Sequence, residues 1–198
     1  MDVFSHGLWS VALAKAVNNK KGNGTTPSRP RLRIWLAALW GVAPDVFAFA
    51  PAFTWLFIQL LSGEMQLSEW PRPEHTEPAP PDGQPIFALT SVLYSLSHSA
   101  VVFGAVFAAV VLVRRAYRFR KGARAQLPWE MLAWALHIVI DIPTHTYRFY
   151  PTPFLWPLSG WRFSGFSWAA PWFLALNYSA LVLVYFLLFR KKRAAVSA

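Results

Sequence analysis

Residues 127–146 read LPWEMLAWALHIVIDIPTHT. The stretch is apolar apart from Glu130 near its start and three groups deeper in, His137, Asp141 and His145. It is about as long as the ~20 residues that cross 30 Å of hydrocarbon. Inside a bilayer every backbone polar group needs an internal partner, so such a stretch is read as a helix. Residues i, i+4 and i+8 share one helix face, which puts His137, Asp141 and His145 in one column. Pro143 predicts that the helix loosens before His145.

Three further apolar stretches stand beside it, at 34–62, 85–113 and 169–189, and a shorter one at 3–17 precedes them. The chain is 198 residues long, 55% hydrophobic and only 14% charged. Soluble domains carry about 25% charged residues. The fold expected is therefore all-α: a polytopic membrane helix bundle over 1–198, with four long transmembrane segments and a short N-terminal membrane helix. Disorder is excluded by the apolar content. The absence of Cys excludes a disulfide framework, thiolate metal sites and a Cys nucleophile.

The net charge of +10 follows the topology. Basic residues gather at 18–33, 114–126 and 190–193, whereas 63–84 is acidic and Pro-rich. The positive-inside rule places the basic segments and the C-terminus in the cytoplasm, and 63–84 and 147–168 outside. Of the 19 basic residues, only Arg72, Arg148 and Arg162 then lie outside. Topology thus accounts for the charge, and nucleic acid is not the partner expected; membrane lipids are. The acidic start at Asp2 argues against a signal peptide.

Six ionisable groups lie within the apolar segments: His6, Asp45, His98, His137, Asp141 and His145. A lone mid-membrane Asp costs about 2.5–3.5 kcal/mol on insertion scales. At a 1.5 Å rise per residue, the six lie about 15–27 Å from the basic ends. They share one layer, in the expected outer half of the membrane. Imidazole and carboxylate are the ligands Zn²⁺ takes where thiolate is absent. Six candidates suit a divalent metal centre of one or two ions, with His145 as a ligand or general base, and with Arg148 and Arg162 either as phosphate clamps or as interfacial side chains reaching toward headgroups. Ser97 and Ser99 flank His98 as packing residues or as partners of its second ring nitrogen. Gly41 and Pro44 are expected to break the second segment beside Asp45.

These residues resemble the motifs of the YdjM-like family of bacterial inner-membrane proteins, described as metal-dependent hydrolases distantly similar to zinc-dependent phospholipase C. Ser5-His6-Gly7 resembles its N-terminal Gly-His motif, Ala43-Pro44-Asp45 its Pro-Asp motif, and Ser97-His98-Ser99 its Thr-His-Ser motif. His137-Ile138-Val139-Ile140-Asp141 resembles its His-x-x-x-Asp helix, and Phe154-Leu155-Trp156-Pro157 and Trp161-Arg162-Phe163 its aromatic-Pro segment. The chain departs at Phe47, where the family often has a second Asp, and at Tyr94-Ser95, where it has His-Arg. His145 has no clear family counterpart. The resemblance implies an inner-membrane hydrolase of a lipid-like or phosphoester substrate, with His6, Asp45, His98, His137 and Asp141 as ligands. Intramembrane His and Asp also mark ion pathways. A transporter would continue polar residues toward the inner face, where 34–44, 101–113 and 176–189 are almost wholly apolar. A scaffold with a structural metal would bind the ion without turnover.

Overall fold

Asp2 starts the first helix. Its carboxylate accepts from the Ser5 backbone N–H at 2.9 Å and the Ser5 hydroxyl at 2.6 Å, an N-cap arrangement. Helix α1 then runs over Val3–Asn19. In this computed structural model, which describes residues 1–19, 31–69, 85–122 and 126–196, five more α-helices follow. They are α2 (Ile34–Ser62), α3 (Pro85–Ser97), α4 (Ala100–Phe119), α5 (Leu132–Thr144) and α6 (Pro171–Val196). Short 3₁₀ turns cover Leu67–Glu69 and Trp129–Met131. Among the described residues there is no strand, only an isolated bridge between Thr146 and Phe149. The fold is all-α, as expected. Most of the acidic segment 63–84, the centre of the basic segment 18–33 and Arg124 lie outside the described residues.

Among the described residues three helices are long and apolar enough to cross a membrane: α2, α4 and α6 over Pro171–Arg190. Four long spans are expected from the sequence, and in two of those stretches the helix bounds differ from the expectation. The stretch 85–113 does not form one helix. It is divided at His98-Ser99, because Ser99 is extended (φ −95°, ψ 125°) and its hydroxyl accepts from the N–H groups of Val101 and Val102, both at 3.1 Å. That bonding caps a new helix and competes with continuation of the old one. The loop after α5 pulls on the same point. The Ser99 hydroxyl donates to the Trp156 carbonyl, and the Ala100 N–H to Phe154 O at 2.9 Å. Helix α4 runs on past residue 113 through Arg114, Arg115 and Arg118, since Arg is a good helix former. The stretch 127–146 yields only the 13-residue α5, with His145 extended just past its end, as Pro143 predicts. Conversely, Pro44 and Pro51 do not interrupt α2, which is one helix of 29 residues.

Helix α2 is the hub, packing against α1, α3 and α5, while α6 packs on α1. Small residues make the contacts close, with Ala14, Ala37 and Ala133 forming one buried cluster. Small interfaces are how helices associate where lipid removes the hydrophobic drive. No residue of α4's apolar window is buried, and Phe119 and Leu61 are each 85% exposed. Apolar exposure on this scale marks a surface covered by membrane or by another protein.

Gly41 allows the α1–α2 crossing. A Cβ there would meet the Ser10 side chain, and the His6 carbonyl at 3.0 Å. Gly41→Val is expected to push α1 off α2 and cost about 1–3 kcal/mol. Thermal unfolding in detergent reads this loss; an unchanged midpoint would refute the close contact.

One end of the bundle is tied by three contacts. Asn18 exchanges two hydrogen bonds with the Leu32 backbone, at 2.8 and 3.0 Å. The Arg33 N–H donates to Glu130 at 3.1 Å. The Lys15 ammonium sits 4.6 Å over the Phe189 ring. The end of α1, the starts of α2 and α5, and the end of α6 therefore share one side.

Candidate metal centre

The six expected residues converge. All are buried, with His98 and Asp141 at 0% exposure. Four offer ligand atoms within 4.8 Å of one another: Asp45 from α2, His98 from the α3–α4 break, and His137 and Asp141 from α5.

The tautomers follow from the outer hydrogen bonds. His137 Nδ1 lies 2.7 Å from the Gly41 carbonyl, which can only accept, so Nδ1 carries a proton, and in the neutral ring Nε2 then keeps its lone pair. His98 Nδ1 lies 2.8 Å from Ser97 Oγ, which itself donates to Tyr94 O at 3.4 Å. Its Nδ1 is therefore also the donor, and its Nε2 lone pair faces inward. The two Nε2 atoms are 3.0 Å apart. Asp45 Oδ1 is 3.3 Å from His98 Nε2 and 3.5 Å from His137 Nε2. Asp141 Oδ2 is 3.4 and 3.1 Å from the same two atoms.

Two facing lone pairs and two carboxylates repel in a dry interior unless a metal cation or added protons lie among them. Metal–ligand bonds of about 2.0–2.1 Å in a tetrahedron imply ligand–ligand edges of about 3.3–3.4 Å. Five of the six edges among these four atoms, at 3.0–3.5 Å, are near that value, and all four atoms lie within 4.8 Å of one another. Asp45 Oδ2 and Asp141 Oδ2 also have no hydrogen-bond partner although buried. Asp45, His98, His137 and Asp141 can therefore hold a metal ion.

His6 and His145 stand on the other side of Asp141. Its Oδ1 is 2.9 Å from His6 Nε2, 3.6 Å from His145 Nε2 and 2.5 Å from the Met1 amine. That amine is also 3.1 Å from His145 Nε2. One carboxylate thus divides two donor sets. His145 Nδ1 donates to the Tyr150 carbonyl at 3.2 Å, leaving Nε2 for the site.

The rings are held by stacking. His6 lies on His137 at 3.6 Å between centroids, and Tyr94 on His98 at 3.7 Å. Tyr94 occupies part of the stretch where the resembling family has His-Arg, and its hydroxyl lies 3.4 Å from both His145 Nδ1 and Thr152 Oγ1. Ser99 serves as a helix cap, while Ser97 serves the imidazole. Arg148 is exposed and Arg162 half-buried. Among the described residues neither guanidinium pairs with a site carboxylate.

Sequence reading missed the clamp between α1 and α6. Trp9 Nε1 donates to Asn177 Oδ1 at 2.9 Å, and Asn177 Nδ2 donates to Ser5 Oγ at 2.8 Å, beside His6. A lone amide in the uncharged stretch 169–189 was the available signal. Asn177→Leu is expected to cost about 1 kcal/mol, the scale of an interhelical hydrogen bond in membranes. The same variant is expected to shift His6, which Ser5 adjoins; thermal unfolding with and without added Zn²⁺ reads any effect on metal binding apart from the loss of stability.

The sequence profile of the YdjM inner membrane protein family matches residues 1–198. No curated protein and no solved structure matches the chain. With apolar helices suited to a bilayer and the profile covering the whole chain, this protein belongs to the YdjM inner membrane protein family.

Proposed function

We propose that the protein is a membrane-bound, metal-dependent hydrolase of a lipid-like or phosphoester substrate. The observation that carries this reading is the set of five ligand–ligand separations of 3.0–3.5 Å among Asp45, His98, His137 and Asp141. A bound divalent ion, zinc by its donor set, would lower the pKa of water toward 7 and polarise the scissile group. His145 lies past the end of α5 with Nε2 turned to Asp141, placed to take a proton from water or return one to the leaving group. Asp45 keeps Oδ2 unpaired for the same proton traffic. His6 and Asp141 complete the second donor set. Arg148 and Arg162, on the loop that follows α5, are the basic residues available to grip a phosphate. The tied end that bears Arg33 and Lys15 is cytoplasmic in this reading, with the C-terminus, and the site lies in the outer half of the bilayer.

Elemental analysis of purified protein, run beside a phospholipid and phosphoester hydrolysis screen, tests it. About one divalent ion per chain with metal-dependent turnover is expected. Metal-free active protein would overturn it. A structural ion is the second reading. What favours it is the number of protein donors, four, and not a closed frame, since the four atoms lie only within 4.8 Å of one another. Full metal content without turnover on the whole panel distinguishes it.

A further inference from the structure

A cavity of about 330 Å³ abuts the metal centre, bounded by Trp40, Pro44, Phe47, Ser97, Val106 and Trp134 among others. Small-molecule sites begin near this size, at about 300–1,000 Å³. Its walls are those of the centre. Pro44 precedes Asp45, Ser97 holds the His98 ring, and Trp134 stands one turn before His137. The Trp134 indole N–H is already engaged by Ser97 O at 2.6 Å, and the Trp40 and Trp134 rings are stacked in parallel at 6.0 Å. What remains facing the cavity is almost wholly hydrocarbon and aromatic surface.

Two features name its occupant. One wall is α4, whose apolar window has no buried residue, so the cavity borders lipid. Part of its lining also has a direction. Trp40, Val106 and Trp134 lie from the cluster toward the end that carries Arg33, Arg114 and Glu130. A lipid whose head lies at the cluster must send its chains that way, toward the middle of the bilayer.

We propose that this cavity seats one hydrocarbon chain of a membrane phospholipid whose phosphoester reaches the metal centre. The inference rests on the hydrolase reading for the headgroup but not for the chain. No step of chemistry is assigned to the cavity: it orients the substrate and selects for chain length.

The test uses the full chain in lipid nanodiscs containing phosphatidylcholine with a diazirine midway along one acyl chain. Irradiation and peptide mapping should place adducts around Phe47 and Val106. Val106→Trp fills the cavity and should cut that labelling at least fivefold. Val113→Trp, on an exposed part of α4 outside the cavity, should not. Val102→Phe is the smaller plug should Val106→Trp fail to insert. Labelling spread evenly along α4 and α6, or indifferent to both plugs, overturns the proposal. In the hydrolysis screen, Val106→Trp should lower the ratio of long-chain to short-chain kcat/KM at least tenfold, since each methylene in a fitted apolar pocket is worth roughly 10-fold or more. Equal wild-type kcat/KM for short and long chains overturns the pocket and leaves the hydrolase. Localised labelling without any turnover supports the pocket and overturns the hydrolase.

Discussion

Asp141→Ala and His137→Ala are each expected to abolish bound metal and hydrolysis together while the protein still inserts into the membrane. Losing even an outer-shell partner lowers metal affinity about 10–100-fold. Losing a ligand should therefore exceed about 100-fold. Asp141→Ala is the more severe of the two, because its carboxylate serves both donor sets: Oδ2 faces His98 and His137, and Oδ1 faces His6 and His145. His137→Ala also frees the Gly41 carbonyl and removes the ring on which His6 stacks. The check is metal content by elemental analysis on protein recovered from the membrane fraction, with turnover beside it. Full metal content in both variants would sink the assignment of the site.

The second large effect is expected at Gly165. Here the loop after α5 crosses the helix end so closely that a Cβ would fall onto the backbone of Pro143, 1.9 Å from its carbonyl oxygen and 2.4 Å from its carbonyl carbon. A backbone cannot rotate aside as a side chain does. Three bonds depend on that approach: Gly165 N–H to His145 O at 2.8 Å, Phe166 N–H to Pro143 O at 3.0 Å, and Trp168 N–H to Thr144 O at 3.1 Å. Gly165→Val should cost about 3 kcal/mol, the upper part of the overpacking range, and should release His145. Thermal unfolding, with limited proteolysis between 146 and 170, checks this. Wild-type stability and wild-type resistance to protease would refute the strap.

The site was legible because charge is scarce in apolar segments. His6, Asp45, His98, His137, Asp141 and His145 stood out as unexplained costs, and depth arithmetic placed them in one layer. The rise per residue is nearly constant in helices, so errors in where each helix began did not scatter the set. Helix boundaries were less legible. Hydropathy does not show that Ser99 spends its hydroxyl on Val101 and Val102, which is what divides 85–113. Nor does a proline show whether a neighbouring helix keeps it in line; α2 carries Pro44 and Pro51 uninterrupted between α1, α3 and α5. The close approaches at Gly41 and Gly165, and the reach of Asn177 to Ser5, depend on pairings across the fold that local pattern does not encode.

The length of α5 matters to the bilayer as well as to the site. Thirteen residues rise about 20 Å, about 10 Å short of an average hydrocarbon core. The Trp129–Met131 turn and the loop past His145 make up that distance with irregular backbone. Irregular backbone at such depth is tolerated only under protein cover. Hydrophobic mismatch of this kind is relieved by thinning the surrounding lipid, at a fraction of a kcal/mol per Å. In the proposed topology membrane thickness thereby becomes a variable of this protein: a thinner bilayer is expected to bring water closer to His145, and a thicker one to set the same residues deeper.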